Sequence, residues 1–292
     1  MIYLNADGDA TKQQQQFNSV IAQGAKAIVL DAVDTAAAAS LVKRAQGQGI
    51  KVIAYDRPIP NAIADYYVSF DNEAIGRIIA TSLVDQLKKL KVPTSQTGIL
   101  QINGSPTDAA AGLIKKGIYA GLATGGYKTL AEYDTPEWAP SKAQQWASGQ
   151  ITRFGKQIRG VVAANDGTGG GAVAAFNAAG VKPIPFITGN DATIAGLQNI
   201  IAGLQYNTIL KPSEIVAAAA ADLAVALLKG EKPKASTTLF NTPSKLFTPT
   251  LITANNLKAQ VIDKKINGQS IVSAAVLCKG YEAACKKLGI NP

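Results

Sequence analysis

The chain of 292 residues contains no histidine. That removes the commonest general base and metal ligand, and with it every Ser-His or Cys-His mechanism. Cysteine is scarce as well, confined to Cys278 and Cys285. A C-x6-C pair cannot supply four zinc ligands, and there is no histidine to complete the set. Oxidised, the pair would close a short loop worth roughly 2–3 kcal/mol in the chain-entropy model and imply an oxidising compartment. Reduced, it would be two buried thiols. No apolar run reaches the roughly 18 residues that a membrane-spanning helix needs. Aromatic residues are only 6% of the chain, and no stretch alternates them with basic residues, so nothing supports nucleic acid as a partner. No metal site and no cofactor is expected.

What the chain does have is 47% hydrophobic against 17% charged residues, a globular balance with length for about two domains. Abundant alanine and glycine suit close packing of helices on sheets. The net charge is +9, carried by scattered lysine pairs such as Lys88-Lys89 and Lys286-Lys287. Such a charge serves solubility or attraction to an anionic surface.

Short apolar runs alternate with helical periodicity along most of the length. Strands are expected at 1–6 (MIYLNA), 27–30 (AIVL), 51–55 (KVIAY), 66–69 and 97–102 (TGILQI), with helices between them. A second series follows, with strands near 128–132, 160–164, 184–188 and 205–209. This alternation specifies parallel sheets built from right-handed crossovers, in two successive α/β units of similar size. Residues 245–252 carry Pro249 in their middle, which does not suit a central strand, so that stretch is expected to cross between domains.

In open parallel sheets, ligands bind beyond the carboxyl ends of the strands. Polar groups gather at those ends: Asp56-Arg57, Asn165-Asp166, Asn190-Asp191 and Lys211 before Pro212, with Asp108 at the start of the second unit. Together they offer the acceptors and charged donors that suit a ring of hydroxyl groups. Trp138, and Tyr133 beside it in sequence, could add a flat apolar face for sugar C–H groups. Each has a plainer alternative. Asp56 and Arg57 could form a loop ion pair, Asp166 and Asp191 could be helix caps, Asn165 a turn residue, and Trp138 core. The run Gly167-Thr168-Gly169-Gly170-Gly171 lacks the spacing of a phosphate-binding loop and reads as small residues for close helix packing.

The segments AYDRPI (54–59), VSFDNE (68–73), GSPTDAAA (104–111), AANDGTGGGA (163–172), GNDA (189–192) and LKP (210–212), taken in order, resemble the bacterial sugar-binding proteins of ABC importers, in particular the D-xylose-binding subgroup. The resemblance implies an α/β fold of the type I periplasmic-binding-protein kind: two doubly wound parallel-sheet domains joined by three hinge crossings near 103, 210 and 248. The lobes would be 1–103 plus 211–247, and 104–210 plus 248–292. Carried over to this sequence, Arg57, Asn165, Asp191 and Lys211 match sugar-binding positions, Trp138 looks like the ring-stacking residue, and Asp108 matches an acid that supports the site. Two departures stand out. Ala109 and Ala110 replace expected asparagines, which puts the identity of the sugar in doubt. The family pattern also begins with a further strand and helix before residues 1–6; that segment and an export signal are missing here, which is expected to reflect a trimmed or misplaced start, and only a chain that truly began at residue 1 would have a gap in the first domain.

The expectation is therefore a monomeric extracytoplasmic binding protein, not an enzyme, that closes on xylose or another aldopentose and delivers it to an ABC permease. The rivals are the effector domain of a sugar-responsive transcription regulator, a chemotaxis or sensing receptor, and a Rossmann-type or hydrolytic enzyme. The last has little beyond carboxylates to work with.

Overall fold

The computed structural model describes residues 1–291. They fold as two compact units: Met1–Asp71, Pro106–Gly112 and Pro212–Thr248 form the first, and Asn72–Ser105, Leu113–Lys211 and the residues from Pro249 form the second.

The first unit opens with α1 (Ala10–Ala22), whose N-cap Asp9 accepts hydrogen bonds from the backbone of Thr11 and Lys12. The left-handed Gly24 (φ 78°) turns the chain just past the end of this helix. β1 (Ala27–Leu30), α2 (Ala38–Gln46), β2 (Lys51–Tyr55) and β3 (Tyr66–Phe70) follow. Residues 1–6, expected as a strand, are not one. Ile2, Tyr3 and Leu4 are exposed at 56%, 83% and 45%, and no neighbouring strand offers them a ladder among the described residues. An apolar run becomes a strand only where backbone partners exist.

The second unit begins with α3 (Asn72–Lys89), which buries Ile75, Ile79, Leu83 and Leu87 along one stripe at helical spacing. β4 (Gly98–Asn103), α4 (Ala109–Leu122), β5 (Lys128–Asp134), α5 (Pro140–Phe154), β6 (Ile158–Ala163), α6 (Asp166–Ala178), β7 (Phe186–Ile187), α7 (Ile194–Ile201) and β8 (Asn207–Leu210) come next. The chain returns to the first unit with α8 (Ser213–Leu228), β9 (Thr237–Leu239) and β10 (Thr242–Phe247). It ends in the second with β11 (Thr250–Thr253), a wide helical turn Lys258–Asp263, the small hairpin β12 (Lys265–Ile266) and β13 (Gln269–Ser270), then α9 (Ala274–Cys278) and α10 (Glu282–Lys287).

The first sheet has the order β1-β2-β3-β10-β9, parallel except for the edge strand β9. The second has the order β5-β4-β6-β7, all parallel, and β8 pairs antiparallel with β11. The expected boundary at 103 does not match this division. β4 lies between β5 and β6, so it and α3 belong to the second unit and the chain divides at Asp71. The stretch around Pro249 resolves into two strands in different sheets, β10 before it and β11 after it. Proline, with no N–H to donate, falls at the break.

Glycine sets the closest approaches in the second unit. In α6, a Cβ on Gly169 would lie 2.7 Å from the Thr188 carbonyl and one on Gly171 2.4 Å from that of Pro140. The glycine run is thus a packing surface, and α5 meets it with the buried Ala143 and Ala147. α3 and α4 also cross with backbones in contact: a Cβ on Gly76 would come within 1.9 Å of the Ile114 carbonyl oxygen, and one on Gly117 within 2.0 Å of that of Glu73. The disulfide Cys278–Cys285 is formed, with Cα atoms 5.9 Å apart, inside a core cluster that includes Leu197, Ile252 and Leu277.

Gly76→Ala and Gly117→Ala should each cost about 1–3 kcal/mol by overpacking this crossing. Gly112→Ala, in the same helix but facing open space, should gain roughly 0.5–1 kcal/mol from helix propensity. Urea unfolding monitored by circular dichroism checks both; a similar effect at all three positions would contradict the packing account.

Candidate functional site

In the first unit the loops after β1 and β2 converge on Arg57. Its Nε lies 3.1 Å from Oδ2 of Asp108 and 3.5 Å from Oδ1 of Asp31, and Nη1 donates to the carbonyl of Ala32 at 3.0 Å. Asp108 is buried and the Arg57 side chain keeps about a quarter of its surface exposed (27%). Asp108 also caps its own turn, accepting from Ala110 N–H at 2.8 Å. Thr35 holds that turn in place: its backbone N–H and its hydroxyl both donate to the Thr107 carbonyl, and its Oγ1 accepts from Ala109 N–H. Asp56, beside Arg57, sits at φ 58° with its carbonyl accepting from the Tyr67 hydroxyl. Arg57 is thus aimed by two carboxylates and a carbonyl. Asp31, at the end of β1, obeys the same strand-end rule as Arg57 but was not singled out from sequence.

In the second unit, Asn165, Asp191 and Lys211 sit at the ends of β6, β7 and β8. Lys211 Nζ lies 2.9 Å from Oδ1 of Asp191. Asn165 is the N-cap of α6, accepting at Oδ1 from the backbone N–H of Thr168 in a capping box. From sequence its plainer alternative is a turn residue; in the structure it is a cap, and its Nδ2 donors remain for another acceptor. Asp191 is not a helix cap; Thr193 caps α7 instead. Asp191 and Ala192 adopt φ of 104° and 48°, a left-handed stretch held by Asp191 N–H donating to the Ile209 carbonyl and Ala192 N–H to Thr208 Oγ1.

Trp138 closes a short helical turn, Pro136–Trp138, in which both Glu137 (φ 60°) and Trp138 (φ 56°) are left-handed. The indole lies against Gly104, where a Cβ would stand 2.1 Å from a ring carbon. Tyr133 does not share this role, because its ring stacks on Trp146 at 5.5 Å and is committed to packing. Left-handed bulky residues cost on the order of 1–3 kcal/mol each and persist where surroundings over-determine them, as at Asp56, Trp138 and Asp191.

Behind Asn165 and Asp191 lies a carboxylate that the sequence offered as a strand-end polar group or a helix cap. Asp166 is 4% exposed. Its Oδ2 accepts from the backbone N–H and hydroxyl of Thr193, and its Oδ1 from Gln205 Nε2 at 2.8 Å and Thr208 Oγ1 at 2.7 Å. A Cβ on Gly189 or Gly196 would fall 2.1 or 2.2 Å from a carboxylate oxygen, so both glycines make room for it. Burial pushes Asp166 up to about 6; the Thr208 hydroxyl, Gln205 and the Thr193 N–H oppose the rise, while nearby Asp191 adds to it. The spacing N-D … G-N-D … G carried this signal, but only as the clearance two glycines leave around a buried acid.

A family model described as a periplasmic binding protein domain matches residues 1–232. The chain is 36% identical over 274 residues to the D-xylose-binding periplasmic protein of Escherichia coli, covering 91% of this chain and 81% of that protein. It is 29% identical over 280 residues to the multiple sugar-binding periplasmic receptor ChvE of Rhizobium radiobacter, covering 88% and 79%. Among solved structures, an ABC transporter solute binding protein from Clostridium phytofermentans with bound β-D-glucose matches with a TM-score of 0.82 at 26% identity, covering 92% of this chain and 87% of that one.

Because the folded-state value of Asp166 is raised, its contribution to stability is present in full below the unfolded value and is lost as pH rises through about 6. Against Asp166→Asn, which cannot titrate, wild type should therefore gain roughly 2 kcal/mol between pH 7.5 and pH 4. Urea unfolding of both proteins across that range reads the difference. A constant gap would mean that Asp166 does not change charge there.

Proposed function

The chain belongs to the periplasmic binding protein family, whose members bind substrates rather than transform them, and from that premise we propose that it captures a monosaccharide outside the cytoplasm for an ABC permease. The observation that carries the proposal is the pairing of charged groups at strand carboxyl ends: Arg57 with Asp31 and Asp108, and Lys211 with Asp191 beside Asn165. Sugar hydroxyls both donate and accept, and charge-assisted hydrogen bonds to them are worth roughly 1.5–3 kcal/mol each. The ion pairs fix each group beforehand, so little side-chain entropy is lost when a sugar arrives. Trp138 supplies the apolar face. The disulfide fits an oxidising compartment.

Xylose or a related aldopentose is the favoured ligand, since a relative 36% identical over 274 residues is named for D-xylose. Other similar proteins are named for several sugars or hold glucose. At the expected asparagine positions, Ala109 and Ala110 offer backbone N–H groups already donated to Thr35 and Asp108, and no side-chain amide. Fewer polar contacts there favour tolerance at one hydroxyl position of the sugar.

A thermal-shift screen against xylose, ribose, arabinose, glucose and galactose, followed by calorimetry, should find at least one sugar that raises the melting temperature by mass action. No shift with any of them on folded protein would count against the proposal. Arg57→Ala and Lys211→Ala should each weaken the confirmed sugar at least tenfold; unchanged affinity in either removes that residue from the site. Closure of the two lobes on the ligand belongs to the same proposal, with the sugar favouring whichever state it contacts more. Saturating sugar should then lower the radius of gyration in X-ray scattering.

A further inference from the structure

The charge of this protein is divided unevenly. The first unit holds ten basic and eleven acidic side chains, and the second holds nineteen and nine, so the whole positive excess sits on the second. Within that unit the charge is also polarised along the strands. Each helix of a parallel α/β layer runs back antiparallel to the strands, which brings helix carboxyl ends to the amino ends of the strands. There Lys89 ends α3 and Lys91 follows it; Lys128 is the first residue of β5; Arg153 and Lys156 end and follow α5; Lys182 lies between α6 and β7. Strand register sets Gly98, Lys128 and Ile158 level with one another. Side-chain contacts join the loops: Lys88 Nζ donates to the Thr124 carbonyl and the Tyr127 hydroxyl to that of Val92.

All six of these side chains are exposed, and none forms an ion pair among the described residues. By contrast Lys115, Lys116, Lys142, Lys211 and Lys258 of the same unit are each paired with a carboxylate. Apart from Asp85, the acids of the sheet-and-helix layer lie toward the opposite end: Glu73, Glu132, Asp134, Glu137, Asp166 and Asp191. Helix dipoles explain a cation at the end of α3 and of α5. They do not explain Lys91, Lys128 and Lys182, which lie outside helices, and Lys156 sits in the short helical turn Gly155–Gln157 after α5.

We propose that this end of the second unit is a docking surface for an anionic phospholipid bilayer. Five exposed lysines and one arginine, spread over several loops and helix ends and without ion pairs among the described residues, suit a diffuse sheet of negative headgroups better than a single bound anion. Nucleic acid fits less well, because the aromatic rings nearby are turned inward: Tyr127 is 7% exposed and Phe154 packs against the core, leaving no stacking face. Docking by this end holds the protein at a membrane surface while the carboxyl ends of the strands, with Asn165, Asp191 and Lys211, stay open to solute. The proposal does not depend on which ligand those residues bind.

Co-sedimentation with vesicles tests it. The protein should bind vesicles containing phosphatidylglycerol at about 50 mM salt, leave them at about 500 mM, and ignore pure phosphatidylcholine, as a screened interaction requires. Replacing Lys89, Lys91, Lys128 and Lys156 with Gln should weaken binding at least tenfold. Replacing Lys43, Lys229, Lys232 and Lys234 of the first unit with Gln removes the same net charge and should change binding less than about twofold. Arg153→Gln with Lys182→Gln, an independent pair at the same end, should weaken it about threefold. Circular dichroism confirms that each variant is folded. Equal losses in the two lysine sets would reduce the effect to net charge and overturn the proposal. So would failure of the native protein to bind at low salt, or its removal from vesicles by duplex DNA at matched charge.

Discussion

A single buried carboxylate organises the second unit. Asp166, just after β6, is tied to the loop after β7 through Thr193 and to the start of β8 through Gln205 and Thr208. Burying an isolated carboxylate costs several kcal/mol, and hydrogen bonds to a charged acceptor return roughly 1.5–3 kcal/mol each. The two effects nearly balance, which is why burial raises Asp166 only to about 6 and leaves it ionised at neutral pH. An ionised acceptor needs donors on every side, and the donors come from the segments that carry Asp191 and Lys211. The positions of Asn165, Asp191 and Lys211 thus follow from one acid that is itself almost inaccessible.

The first unit achieves a similar result at its surface. Arg57 is directed by Asp31, Asp108 and the Ala32 carbonyl, and Thr35 anchors the turn that presents Asp108. Asp108 is buried, while Arg57 and Asp31 are partly exposed, so that pair contributes little to stability. Its value lies in orientation. A guanidinium held in place before a ligand arrives forms directed hydrogen bonds without first losing rotamer freedom. Strained backbone at Asp56, Trp138 and Asp191 fits the same account, with the surrounding hydrogen bonds holding conformations that the local sequence disfavours.

Charge is polarised along the second unit. Carboxylates and their partners gather at the carboxyl ends of the strands, where polar ligands are met, while unpaired bases gather at the amino ends. This division could not be seen from the scattered lysine pairs in the sequence. It becomes visible only when the register of β4, β5 and β6 and the direction of α3 and α5 bring distant basic residues to one end.

By itself the sequence determined the alternation of strand and helix, the buried stripe of α3, the packing role of the α6 glycines and the polar residues at strand ends. All of these depend on periodicity or on rules that act over a few residues. Motif resemblance added Arg57, Asn165, Asp191 and Lys211 as a set. Tertiary structure alone decided the rest. Residues 1–6 read as a strand but have no ladder, because pairing is a property of neighbours. Tyr133 looked like a second ring for a sugar and instead stacks on Trp146. β4 went to the centre of the second sheet, which moved the division of the chain from 103 to 71. Asp166 read as a helix cap because its partners lie 27 to 42 residues away. The physical reason is common to all four: local pattern fixes which conformation a segment prefers, but burial, pairing and charge depend on what long-range folding places beside it.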